Sequence, residues 1–237
     1  MTMDVAKAFT FVTEDEQWVG KIGIGALIAL GSILIIPIPL LLGYQVGVTR
    51  NVMKGMKRPL PQWEDFGQLF VDGLSILLAQ IVYTLPFWLI VCVALFSTVG
   101  LSGLADAVSE DVLATGFIAT WGVMMCLTLL FIVAWFFLSP AIVIQYVQTN
   151  NLAACFRFGE VVAIVRENVS DIVIAGLAAF GATFVLNIVV GGLSIIPCLG
   201  QIAGVLLLFA GSPWLLAMMG HLYGQIAASE AASTATF

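Results

Sequence analysis

Charge is what this chain has least of. Only 9% of its 237 residues are Asp, Glu, Lys or Arg, where ordinary soluble domains carry about a quarter. No acidic or basic run is long enough to serve as a nucleic-acid or membrane-surface tail, so no nucleic-acid partner is expected. Histidine is scarcer still. His221 is the only one, which excludes a two-histidine zinc site, a paired-histidine haem and an HExxH protease within one chain. Cys92, Cys126, Cys155 and Cys198 stand singly, without the close pairs that metal or redox motifs need, and read as small buried hydrophobes. Ser97, Ser139 and Ser194 lack His and Asp company for nucleophilic catalysis, and no glycine-rich loop is placed to cradle a phosphate. The chain is therefore expected to be non-enzymatic and to hold no metal and no cofactor.

What is abundant is oil. Hydrophobic residues make up 61% of the chain, at a mean hydropathy of +1.11, more than a water-soluble core can hide. At about 20 apolar residues per crossing of a hydrocarbon layer about 30 Å thick, the chain holds five or six membrane helices. The expected fold is an all-α polytopic integral membrane bundle, with six (alternatively five) transmembrane helices plus short amphipathic interfacial helices. Residues 1–228 form a single integral membrane domain and residues 229–237 a disordered tail. The start, MTMDVAKAFTFVTEDEQW, has no basic stretch leading to an apolar core and a small-residue cleavage site, so no removable signal peptide is expected.

Residues 3 to 18 read as an interfacial segment in which Thr13 and Glu16 form a capping box, with Trp18 and Lys21 at headgroup level. The apolar run from Ile22 meets Pro37-Ile38-Pro39, which a straight helix cannot pass unchanged. Two readings stay open there: one kinked helix over residues 22 to 48, or a tight hairpin of residues 20 to 36 and 38 to 54. Gln62 to Gly73 reads as an interfacial helix, with Trp63, Phe66, Leu69 and Phe70 on its apolar face and Asp65 and Asp72 as solvated carboxylates on the other. Crossings follow at about 74–99, 113–147, 172–193 and 201–228, with Pro86 and Pro140 as bends. Phe158 to Glu167 is a second amphipathic surface helix. Ile195-Ile196-Pro197 echoes Ile35-Ile36-Pro37, a hint of internal duplication.

Half of the positive charges, Arg50, Lys54, Lys57 and Arg58, sit in one polar interruption and set the topology by the positive-inside rule. Loops 49–69 and 149–171 are expected in the cytoplasm, and the loop at Asp106, Glu110 and Asp111 outside. This interruption also carries a resemblance. Gly43-Tyr44, Arg50-Asn51-Val52, Gly55, Arg58-Pro59-Leu60-Pro61, Trp63, Asp65 and Leu69 through Gly73 are similar to the signature of an uncharacterised prokaryotic membrane-protein family, DUF4013. Weaker likenesses lie at Phe9 to Trp18, Phe156 to Asp171 and Gly220 to Gln225. The resemblance implies a membrane protein and no particular activity.

Polar groups deep in hydrocarbon are costly and often functional. The uncharged candidates are Gln80 and Asn187, read as interhelical hydrogen-bonding glue, and no ionisable residue is placed well inside a crossing. His221 reads as a polar residue near the inner membrane edge, bonded toward Gln225 or Tyr44. Gly43 with Gly47, Gly200 with Gly204, and Gly220 with Gly224 are small-xxx-small pairs where helix backbones can touch, either within the bundle or on a self-association face. The expected function is a non-enzymatic scaffold, or a component that binds lipid or a partner. The alternative is a transporter or channel for a neutral or amphipathic solute. The expected partners are the lipid bilayer and a membrane protein or a second copy.

Overall fold

The computed structural model describes residues 3–103 and 109–234, and Asp106 lies outside the described residues. Among the described residues eight α-helices follow one another: α1 Val5–Thr10, α2 Trp18–Gly31, α3 Ile38–Met53, α4 Phe66–Gly103, α5 Glu110–Thr149, α6 Phe158–Glu167, α7 Val169–Leu193 and α8 Leu199–Thr234. Among the described residues, α4, α5, α7 and α8 are long and apolar enough to cross a membrane, whereas α2 is a shorter apolar helix.

Local chemistry sets several of the boundaries. Asp4 accepts from the Lys7 N–H to cap α1, and Asp65 accepts from the Gln68 N–H to cap α4, each satisfying a donor that the first helical turn leaves free. Asn150 ends α5 at φ 50, a left-handed conformation that asparagine tolerates. Pro39 falls in the first turn of α3, where its missing N–H costs nothing. The Thr13–Glu16 capping box does not form: the Thr13 hydroxyl donates to Thr10 O, and α2 starts only at Trp18.

The two readings of residues 22 to 54 are resolved by Trp63. Its ring stacks on Tyr44 at 4.5 Å, and its Nε1–H donates to Lys21 O at 2.8 Å. In a single continuous helix Lys21 and Tyr44 would stand about 35 Å apart at 1.5 Å per residue. The chain therefore reverses, and α2 and α3 form a hairpin. Its turn forces Ile35 to φ 67, with the Ile36 N–H donating to Leu34 O at 2.7 Å. A β-branched residue is strained at positive φ. Ile35→Gly is expected to raise the thermal midpoint in detergent, by about 1 kcal/mol of relieved strain.

Glycines fix the packing. A Cβ on Gly43 would run into the Leu69 carbonyl, and one on Gly73 into Pro39 O and the Gly43 nitrogen; α3 and α4 thus run antiparallel with backbones touching. On the other side of α3, a Cβ on Gly220 would meet Gln45 O at 2.8 Å and one on Gly224 would meet Thr49 O at 2.7 Å, so α8 runs parallel to α3. Helix α3 is consequently enclosed, and Gly43 through Thr49 are all buried. Pro140 through Val147 of α5 complete this core, and α5 continues through Pro140 as α4 does through Pro86.

Most of the core lies at one end, together with the chain's eight basic residues, with Ala94 and Met124 buried further along α4 and α5. Toward the other end large apolar side chains face outward, with Phe96 at 78%, Ile118 at 74% and Phe180 at 69% exposed. That is the reverse of a soluble fold, and only an apolar surrounding makes it favourable.

Three expectations are corrected. The interfacial helix at 62–73 is not separate, because its last eight residues are the first turns of α4 and Trp63 is buried in the core. Residues 229–234 are not disordered but continue α8; Gln148 Nε2 donates to Glu230 there at 3.0 Å, while 235–237 lie outside the described residues. Cys92, Cys126 and Cys198 are exposed, and only Cys155 is buried. The echoed Ile-Ile-Pro turns also differ, since the positive φ falls on Ile35 before the first proline but on Cys198 after Pro197.

Candidate functional site

The polar end holds three polar clusters, two of them buried and the third partly exposed, each tying together segments distant in sequence. The first joins α3, α4 and α5. Asp72, 1% exposed, accepts on one oxygen from Arg50 Nη1 at 2.7 Å. Its other oxygen accepts from Gln68 Nε2 and from the Tyr146 hydroxyl, both at 2.9 Å. Arg50 Nη2 donates onward to Asn150 Oδ1 at 2.8 Å. A buried charge is tolerable only when paired and fully hydrogen-bonded, and here three donors meet the carboxylate. Asp72 is thus no solvated surface acid, and an ionisable residue does lie inside a membrane-candidate helix. Beside this cluster Gln145 Nε2 donates to Glu160 Oε2 at 2.6 Å, fastening α6 to α5.

The second cluster binds the start of α2 to the loop after α3. Lys21 Nζ donates to Asp15 Oδ2 at 2.7 Å and to Leu60 O at 2.9 Å, and the Gln17 N–H donates to Asp15 Oδ1 at 2.9 Å. Lys21 is buried within the protein. Burial pushes the Asp15 carboxyl up, but the Lys21 and Gln17 hydrogen bonds and the charges of Lys21 and Arg58 outweigh it, leaving the group below the usual aspartate range. A carboxyl depressed by folding adds stability that is full above its unfolded value and is lost as pH falls through its folded value. Acid titration in detergent is therefore expected to destabilise the wild type more steeply below about pH 4 than it does Asp15→Asn, whose thermal midpoint starts lower at neutral pH. Above this cluster, the Tyr44 hydroxyl is buried with no hydrogen-bond partner among the described residues.

The third cluster holds the amino-terminal segment to α8. Gln225 accepts from the Asp4 N–H at 2.7 Å and donates to Asp4 O at 3.0 Å, while its amide nitrogen also lies 2.9 Å from His221 Nδ1. His221 is buried against Phe11, with ring centroids 4.4 Å apart. Its partner is thus Gln225, on its own helix.

The remaining sequence candidates separate. Gln80 is half-buried, and its side-chain amide has no hydrogen-bond partner among the described residues; Asn187 is exposed and donates to Thr183 O on its own helix. Neither bridges helices. Gly43, Gly47, Gly220 and Gly224 are covered by the chain's own helices, with Pro61 lying over Gly47. Gly200 serves the tight turn against Leu193 O, and Gly204 makes ordinary contact with Val190. Lys54, Lys57 and Arg58 are exposed, Arg58 pairing with Glu16. Gly73 and the Asp72 cluster were missed by sequence reasoning, although the resemblance motif contains both.

Two apolar hollows lie along the long helices. One of about 390 Å³ lies between α4 and α5 by Ile90, Ser97 and Thr120. The other, about 620 Å³, runs along α7 and α8 by Gly181, Val185 and Trp214. Gln80 and Asn187 line neither. No group of three or more His, Cys, Asp or Glu among the described residues is arranged to hold a metal ion.

The described residues are thus all-helical, with a polar, tightly bonded end and four outward-facing helices long and apolar enough to cross a membrane. Residues 26–195 match the family model "Protein of unknown function (DUF4013)", and the chain belongs to that family. The likenesses noted at Phe9 to Trp18 and Gly220 to Gln225 fall outside the matched residues. Comparison with curated proteins and with solved structures returns no match.

Proposed function

We propose that the protein is a non-enzymatic multi-pass component of the cell membrane that binds lipid, a membrane-protein partner or a second copy, with its polar end in the cytoplasm. The observation carrying this reading is the contrast between the two ends. Every long-range polar cluster tightens the end that holds the eight basic residues, while the outward faces of the long helices are apolar and free of protein contact. The orientation follows from the positive-inside rule, which places loops 49–69 and 149–171 inside.

A transporter or channel for a neutral or amphipathic solute is the second reading, favoured by the buried Arg50–Asp72 pair, since buried charge in a membrane protein often serves function as well as structure. The hollows are sited against it, because they open between apolar helix faces and bypass both that pair and Gln80. The deciding experiment has two arms. Purification from native membranes in mild detergent is expected to retain a stoichiometric lipid or protein. Solute flux in proteoliposomes that disappears on Gln80→Leu or Asn187→Leu would sink the scaffold reading.

A further inference from the structure

We propose that the α2–α3 hairpin does not cross the bilayer but enters and leaves through the polar-end face, docking its outer surface on the acyl chains of the adjacent leaflet. The proposal rests on the membrane reading above and concerns which helices cross. The first observation is length. Helices α2 and α3 have 14 and 16 residues, about 21 and 24 Å, short of a hydrocarbon layer of about 30 Å.

The second observation is register. Gly73 of α4 abuts Pro39 near the hairpin's turn, yet α4 continues to Gly103, about 45 Å further at 1.5 Å per residue. If the turn reached the far interface, that whole stretch would stand in water, with Trp88, Leu89, Phe96 and Val99 exposed at 57, 66, 78 and 67%. A tilt of about 40° shortens the overhang by only about a quarter. Helix α8 agrees, because Pro213 packs on Gly25 and Gly220 on Gln45 while the helix begins at Leu199, overtopping the turn by about 10 to 20 Å. The turn, level with Gly73, therefore lies well short of the far interface and within the nearer leaflet.

The third observation is the chemistry of the turn. Backbone inside hydrocarbon must satisfy its own polar groups. The N–H groups of Ile35, Ile36, Ile38 and Leu40 donate to the carbonyls of Ser32, Leu34, Ile35 and Pro37, and the two prolines between them have no N–H to satisfy. The Ser32 hydroxyl is absorbed by Ile28 O. What the turn presents outward is Leu34, Ile35 and Ile36, at 73, 69 and 73% exposure. The α4–α5 end, by contrast, shows exposed Ser109, Glu110 and Asp111, a tip suited to water.

The test is a set of single-cysteine variants in the full chain, with exposed Cys92, Cys126 and Cys198 replaced by alanine and buried Cys155 kept. Sealed vesicles of known sidedness are treated with a membrane-impermeant maleimide. Lys57→Cys and Ser109→Cys are expected to label from opposite faces, and Ile36→Cys from neither until detergent is added. A nitroxide at Ile36 is expected to collide with oxygen but not with a water-soluble nickel complex. Labelling of Ile36→Cys from the Ser109 face, or ready collision with nickel, overturns the proposal while leaving the membrane reading intact. Labelling of Lys57→Cys and Ser109→Cys from the same face is a distinct result, which overturns the membrane reading and the proposal with it.

Discussion

Gly73→Ala, and separately Gly43→Ala, is expected to abolish the folded monomer or lower its stability by about 3 kcal/mol or more, the upper end of what overpacking a dense interior costs. The added methyl group meets backbone in both cases: Pro39 O and the Gly43 nitrogen from Gly73, and the Leu69 carbonyl from Gly43. A side chain can swing aside, but a helix backbone moves only by displacing the helix. Separating α3 from α4 also opens the Arg50–Asp72 bridge between them, so the two losses arrive together. Gly122→Ala is the internal control, since a Cβ there has nothing within 4 Å, and alanine's helix preference makes it neutral to about 1 kcal/mol stabilising. Circular dichroism melting and gel-filtration profiles in one detergent compare the three variants. Equal behaviour of Gly73→Ala and Gly122→Ala would mean that the α3–α4 backbones do not touch.

The long apolar helices were legible in the sequence from their length and composition, although α4 starts eight residues before the expected 74 and α8 runs six past the expected 228. Helix α6 was legible to the residue, its amphipathic pattern being local. The hairpin was not, because Pro37 and Pro39 break a helix equally well into a kink or a reversal; the choice is made by Trp63, whose indole reaches Lys21 across 42 residues. Asp72 was misread for the same kind of reason. On its own helix it belongs to a polar face, and only Tyr146, 74 residues later, turns that face inward. The tail failed differently. Ser229 to Thr234 is small and polar, the look of a loose end, yet its Glu and Ala residues are good helix formers and Glu230 finds Gln148 on α5. Of the glycine pairs, the sequence supplied the small side chains but not their partners, which is why Gly73, outside any such pair, escaped.

Removing one member of the Arg50–Asp72 pair is expected to cost more than removing both. In Asp72→Leu the guanidinium, one-fifth exposed, keeps Asn150 but loses its counter-charge. In Arg50→Met the carboxylate, almost wholly buried, keeps only the neutral donors Gln68 and Tyr146. Breaking a buried pair from one side typically costs about 3 to 5 kcal/mol, whereas replacing both partners by apolar residues of similar volume is often neutral. Arg50→Met is expected to be the worse single variant, because its orphaned charge has less access to water, and Arg50→Met/Asp72→Leu to recover most of the loss. Tyr146→Phe removes one of three donors and is expected to cost about 1 to 2 kcal/mol. The double-mutant cycle, measured by reversible denaturation in mixed micelles, separates a clamp from a bystander. A double variant as unstable as the sum of the singles would show that the two groups do not act as a pair. A recovered double variant that has lost its copurifying lipid or protein would show that the pair is retained for what it binds rather than for what it holds together.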